Sequence, residues 1–178
     1  LHYFRMDATS GTSETDLGSG AVNGVYNGGF TLNQTSLLSA GGGGTAATFD
    51  GTNSTRLRIG TGHQCALADT FSIELWLKPA QITTGTPIFS ESGTSGIAPL
   101  MRINYPTAAR FSIAGGNGSS EIATSNTPLE VGSVYHVVWT KSGATNKIYV
   151  NGVDDTGAVT DFTLSTPGAG GDTFFLIN

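Results

Sequence analysis

Cysteine, charge and long apolar runs are all scarce in this 178-residue chain. A single cysteine, Cys65, excludes an intrachain disulfide, so burial and hydrogen bonding must hold the fold, and Cys65 is expected to be a small buried hydrophobe. Charged residues make up 12% of the chain, about half the usual ~25%. So few Lys, Glu and Arg cannot clothe the solvent faces of several amphipathic helices. The eight basic residues are scattered and the net charge is −5, which argues against a phosphate-binding patch and so against a nucleic-acid partner. No apolar run nears the ~20 residues of a bilayer-spanning helix, so no membrane insertion is expected. No basic-then-apolar leader opens the chain. It begins at Leu1 without a methionine, which suggests a piece of a longer polypeptide.

What is abundant points to strands and turns. The chain has 26 glycines, 17 serines and 25 threonines. Thr, Val, Ile and Phe suit pleated strands and Gly suits the turns between them. Short strand signals fall at 1–6, 24–32, 46–51, 56–60, 71–79, 86–92, 100–105, 109–115, 120–125, 134–142, 147–152 and 173–178, separated by Gly, Asn, Asp and Ser clusters. No stretch carries a helical period. Twelve strands would overtwist one open sheet, so the expectation is an all-β sandwich of two antiparallel sheets forming one domain over 1–178.

Alternation is clearest at FSIELWLKP, where Phe71, Ile73, Leu75 and Leu77 point one way and Ser72, Glu74, Trp76 and Lys78 the other. The first set is assigned to the core, with Phe49, Phe111, Ile113, Val137, Trp139, Ile148, Val150 and Phe175. In VYHVVWTK both faces are partly apolar, as expected of a central strand covered on both sides. Hairpins are expected at Gly115-Gly116-Asn117-Gly118 and at Ser142-Gly143-Ala144-Thr145-Asn146.

Five segments in order resemble laminin G-like domains of the concanavalin A-like, or pentraxin-like, jelly-roll superfamily. They are LHYFRMDATSGTSETDLGSG at 1–20, TFDGTNS at 48–54, FSIELWLKP, TPIFSESG at 86–93 and VYHVVWTKSGATNKIYVNG at 134–152. The resemblance implies a concanavalin A-like jelly-roll sandwich. Such domains usually close with Gly-x-Ile-Asp-Glu-Val-x-Ile-Tyr, and that motif is absent here. Strand 173–178 is therefore expected to lack a sheet partner, to be supplied by a downstream segment or a neighbouring chain.

Glucanases of this superfamily place two carboxylates on one strand, as a retaining mechanism needs them about 5 Å apart. Neither Glu-x-Asp nor Glu-x-x-x-Glu occurs on a candidate strand, and no Gly-x-Ser-x-Gly accompanies His2, His63 or His136. A non-enzymatic module is expected. The resemblance also raises Ca²⁺ in rim loops, with Asp50, Asp154, Asp155 and Asp161 as candidate ligands. The alternative is that Asp50 caps a turn and the others are solvated, and no cofactor is needed. For a ligand, Trp76 and Tyr149 oppose aliphatic core rows, and Asn104 with Tyr105 forms a loop-edge pair. Together they suit stacking on a glycan or other cell-surface ligand. The competing reading has this face covered by a loop or another subunit, through self-association or contact with other virion or surface proteins. Arg102 is considered as an ion-pair partner of Glu74. The setting expected is the surface of a virion, as a decoration or fibre domain, or of a microbial cell, with two rivals: a carbohydrate-binding module of a secreted enzyme and a structural oligomer subunit.

Overall fold

A computed structural model describes residues 1–38, 44–52, 55–61, 70–83, 85–91, 99–103, 109–115, 120–160 and 172–175. Cys65 and residues 116–118 of the expected hairpin turn lie outside them. The described residues form fifteen strands: β1 (Ser13–Glu14), β2 (Gly24–Asn27), β3 (Phe30–Thr35), β4 (Thr45–Phe49), β5 (Arg56–Thr61), β6 (Thr70–Leu77), β7 (Thr86–Glu91), β8 (Pro99–Ile103), β9 (Phe111–Gly115), β10 (Ser120–Ser125), β11 (Tyr135–Ser142), β12 (Thr145–Val150), β13 (Val153–Asp154), β14 (Thr156–Val159) and β15 (Asp172–Phe175). They pair as a nine-stranded sheet, β1-β2-β5-β15-β7-β8-β9-β10-β14, a four-stranded sheet, β13-β12-β11-β6, and the hairpin β3-β4. Every pairing is antiparallel.

The core lies between the two larger sheets. Ile73 and Leu77 of β6, Val137 and Trp139 of β11, and Ile148 and Val150 of β12 meet Ile88, Met101, Phe111, Ile113 and Ile122 of the nine-stranded sheet. Phe111 and Tyr135 cross this layer edge to face, with ring centres 5.7 Å apart. Phe71 and Leu75 are half-buried at its margin, and the side chain of Phe175 lies outside the described residues. A smaller cluster of Tyr26, Phe49 and Leu57 gathers Phe4, Met6, Phe30 and Leu32. The hairpin from β11 to β12 turns tightly at Gly143 (φ 55°) and Ala144, with Ser142 paired to Thr145.

Three expectations change. Residues 1–6 alternate in exposure like a strand but join a ladder only at the bridge Phe4–Asp16. Residues 24–32 are not one strand: the chain turns at Gly28 (φ 77°), and β2 and β3 enter different sheets. Gly29 is required there, because a Cβ would lie 1.8 Å from Asp50 Oδ2. Finally, β15 sits between β5 and β7, with residues 172–175 paired to β5 and 173–174 paired also to β7, so this strand does not lack a sheet partner. Among the described residues it is the eight-residue β6 that has a ladder partner on one side only.

The first 22 residues are fastened by carboxylates. Asp16 accepts hydrogen bonds from the backbone N–H of Tyr3 (2.9 Å), Gly18 (2.8 Å) and Val22 (3.1 Å), and lies 2.7 Å from His2 Nδ1. Burial alone would raise its pKa, but these donors outweigh it and hold the carboxyl far below the usual range. Glu14, also buried, accepts from Asp7 N, Ala8 N and Tyr26 Oη. Burial, followed by the bond to Glu14, pushes the Tyr26 phenol well up.

Candidate functional site

The outward face of the four-stranded sheet follows from register and alternation. Trp76 on β6 lies opposite His136 on β11, one row from Glu74, Val138, Tyr149 and Asp154, which line up across β6, β11, β12 and β13. Every second residue of β11 packs into the core, so His136 and Val138 must point away from it.

The Trp76 indole stacks on the His136 imidazole, with ring centres 4.6 Å apart and planes at 24°. His136 Nε2 is 2.7 Å from Glu74 Oε1, so that nitrogen carries the proton donated to the carboxylate. A second brace crosses the face where Lys147 Nζ donates to Asp154, which also accepts from Thr156 N and Oγ1. Lys147, then Thr156, hold the Asp154 pKa down at about 2, and Asp154 raises that of Lys147. The indole remains 46% exposed, while Tyr149 is half-buried. Strand spacing puts the two aromatics about 10 Å apart across the sheet and about 7 Å along it. They are two aromatic surfaces on one face, which also carries the carboxylates matched by His136 and Lys147.

Two of the expected ligand-binding residues, Trp76 and Tyr149, thus share a face, whereas Asn104 and Tyr105 lie outside the described residues. Sequence reasoning missed His136 as the support of Trp76. The signal was present, since His136 alternates with core residues, but β11 was expected to be covered on both sides. That expectation is corrected: Val134 is exposed, and His136 and Val138 are only half-buried. The pairing of Arg102 with Glu74 is corrected as well. Arg102 is buried on β8 in the other sheet, where its Nε donates to Ser112 Oγ at 3.3 Å, while Glu74 is exposed.

The metal candidates are dispersed. Asp50 accepts from Thr55 Oγ1 (2.5 Å), Thr52 N and Thr52 Oγ1, which lower its pKa as in a capped turn. Asp155 accepts from Thr127 N and Oγ1, each at 2.9 Å, away from the Lys147–Asp154 pair. Asp161 lies outside the described residues. Among those described, no three His, Cys, Asp or Glu side chains gather as a metal site would use them. Nor do Glu74 and Asp154 form a hydrolytic pair. Three strand spacings, about 14 Å, separate them, beyond the ~5–9.5 Å that either glycosidase geometry uses.

Similarity to known proteins agrees with this architecture. Among solved structures, Domain 4 of AbnA, a GH43 extracellular arabinanase from Geobacillus stearothermophilus in complex with arabinotriose, superposes with a TM-score of 0.60. The match covers 98% of this chain and 71% of that one at 20% identity, so it speaks for the fold. No curated protein matches in sequence. A family model described as the concanavalin A-like lectin/glucanases superfamily matches residues 50–177, from the Asp50 turn through β15. The chain therefore belongs to the concanavalin A-like lectin/glucanases superfamily.

Proposed function

We propose that this chain is a non-catalytic module that binds neutral glycans on the outward face of its four-stranded sheet. The observation that carries the reading is the Trp76 ring, 46% exposed yet held flat against His136. An indole fixed in this way offers a stacking surface with little conformational entropy left to lose on binding. Tyr149 supplies a second surface, and Glu74 and Asp154 supply acceptors for sugar hydroxyls. Both carboxylates are paired with cationic or ring nitrogens, which favours a neutral ligand over a charged one. The complex of the structural neighbour with arabinotriose supports the same ligand class.

Each ring contributes on the order of 1 kcal/mol, so single sites bind weakly and repeated display makes them effective. Low charge and abundant Gly, Ser and Thr suit such display on a virion or cell surface. A second reading, a carbohydrate-binding module of a secreted enzyme, is favoured by the neighbour's origin in an extracellular arabinanase.

Binding of multimerised protein to a glycan array tests the proposal. Trp76→Ala is expected to weaken binding about fivefold per site, and more when multivalent. Equal binding by wild type and variant would overturn the assignment. Chelation with EDTA is expected to leave binding unchanged, because Asp50, Asp154 and Asp155 are engaged by protein donors. A loss that Ca²⁺ restores would instead place a cation in the site.

A further inference from the structure

Trp76 and Tyr149 stand two strands apart and one row out of step, since Trp76 pairs with His136 while Tyr149 pairs with Val138, itself opposite Glu74. Their Cβ atoms therefore mark the ends of a diagonal about 12 Å long. It crosses β11 between His136 and Val138, which are half-buried where the indole is exposed. Both ends lead to a margin of the four-stranded sheet. Beyond Trp76, β6 has a ladder partner on one side only among the described residues, and beyond Tyr149 both residues of β13 are exposed. Two cavities, one lined by Arg5, Glu14 and Leu17 and the other by Phe49, Asp50 and Gln81, take no residue from this face.

The spacing selects the length of the ligand. With single bonds of about 1.5 Å, the linkage oxygens on opposite sides of a six-membered sugar ring lie about 5 Å apart, so each residue of an extended chain advances it by about that much. One or two sugars can cover one of the aromatic rings but not both. Three consecutive residues place the first on Trp76 and the third near Tyr149. The second then lies over β11, beside the exposed Glu74 carboxylate that His136 holds at Oε1. A pocket closed at one end reads the terminus of a chain, whereas a diagonal from margin to margin reads its interior. We infer that the ligand of this face is an internal stretch of an unbranched neutral polysaccharide, at least three sugar residues long, lying diagonally across β6, β11 and β12.

The inference rests on the reading of this face as a glycan site and adds to it the length, direction and continuity of the chain it takes. Internal recognition changes how the module is used. Binding sites on the polymer then grow in number with its length and not with its chain ends. Several copies displayed together can hold one polysaccharide at several points, which offsets the weakness of each contact.

NMR titration of the intact chain with linear ladders of one to six residues of glucose, xylose, mannose, galactose or arabinose tests the inference. Affinity within a ladder that binds should rise about fivefold when the third residue is added, the worth of one more stacked ring, and should level off beyond the fourth. Bulky groups attached to both ends of a bound hexasaccharide should leave its affinity unchanged. Tyr149→Ala should erase the rise at the third residue, and Trp76→Ala should weaken binding at every length. Circular dichroism should show both variants folded, and the wild-type length series decides the matter without them. Full affinity at one or two residues, loss of binding when the ends are blocked, or a folded Tyr149→Ala that keeps the rise would each overturn the inference while leaving the glycan reading in place. A face that binds no ladder at any length would overturn both.

Discussion

Trp139→Ala should lower the unfolding free energy by about 3–5 kcal/mol, a large share of the 5–15 kcal/mol that holds most domains folded. Trp139 is fully buried on β11 and meets Phe71 edge to face at 5.0 Å between ring centres. Its Nε1 donates to Asn146 Oδ1 at 3.1 Å, so the indole also satisfies an amide that is itself buried. Alanine would leave a cavity between the sheets and an unpaired acceptor, and the two losses add. Trp139→Phe should cost less, since it keeps most of the volume and forfeits mainly the hydrogen bond. Urea unfolding followed by circular dichroism measures both, and in either variant Trp76 is the one remaining indole to report by fluorescence. A loss under about 1 kcal/mol for the alanine variant would mean that the site collapses around the smaller side chain. The residue also bears on the proposed function: His136 and Val138, its neighbours on the opposite side of β11, lie on the face proposed to bind ligand. A cavity beneath them should loosen the Trp76–His136 stack before the chain unfolds.

The sandwich was legible because its central strands obey a period of two. FSIELWLKP and VYHVVWTK sort their residues onto two faces without ambiguity, and Ile73, Leu77, Val137 and Trp139 all meet in the core. Conformations set by distant residues were not legible. The break at Gly28 was legible locally, because Asn27-Gly28-Gly29 is a turn signal, yet GVYNGGFTL was read as one strand; what sequence could not show is the Asp50 carboxylate packed against Gly29. Likewise LHYFRM alternates like a strand, but forming a ladder needs a partner strand, and sequence alone does not say whether one lies alongside. Trp76 and Tyr149 could be assigned to outward faces from alternation. Their common face could not, because that depends on the registers of β6 and β12 against β11. His136 was hidden for a related reason: an aromatic or apolar run on both sides of a strand looks the same whether its second face is covered or forms an open binding surface.

Asp16 should prove the most demanding residue of the N-terminal segment. Its carboxylate is the shared acceptor for Tyr3, Gly18 and Val22 N–H groups and for His2, and these bonds hold residues 1–22 against the Tyr26–Phe49–Leu57 cluster. Asp16→Ala would orphan three backbone donors at about 1–3 kcal/mol each where water cannot replace the carboxylate, for a loss of at least about 3 kcal/mol. Asp16→Asn keeps one acceptor oxygen but presents an NH₂ group towards donors, and should fall between wild type and alanine. The pH dependence separates charge from shape. The folded carboxyl titrates far below its unfolded value of 3.8, so the folded state binds fewer protons and its stability is fully present above that value. It should then drain away as the pH falls below about 5 and continue towards the depressed folded pKa. Asp16→Asn removes this term, so the variant's stability should fall less between pH 5 and 2 than that of wild type. Equal slopes would show that other carboxylates govern acid unfolding. Because β6, β11 and β12 lie in the other sheet, glycan binding per folded molecule at neutral pH should be the same in both proteins. A variant that stays folded yet loses binding would mean that the N-terminal segment, and not the Trp76 face alone, shapes the site.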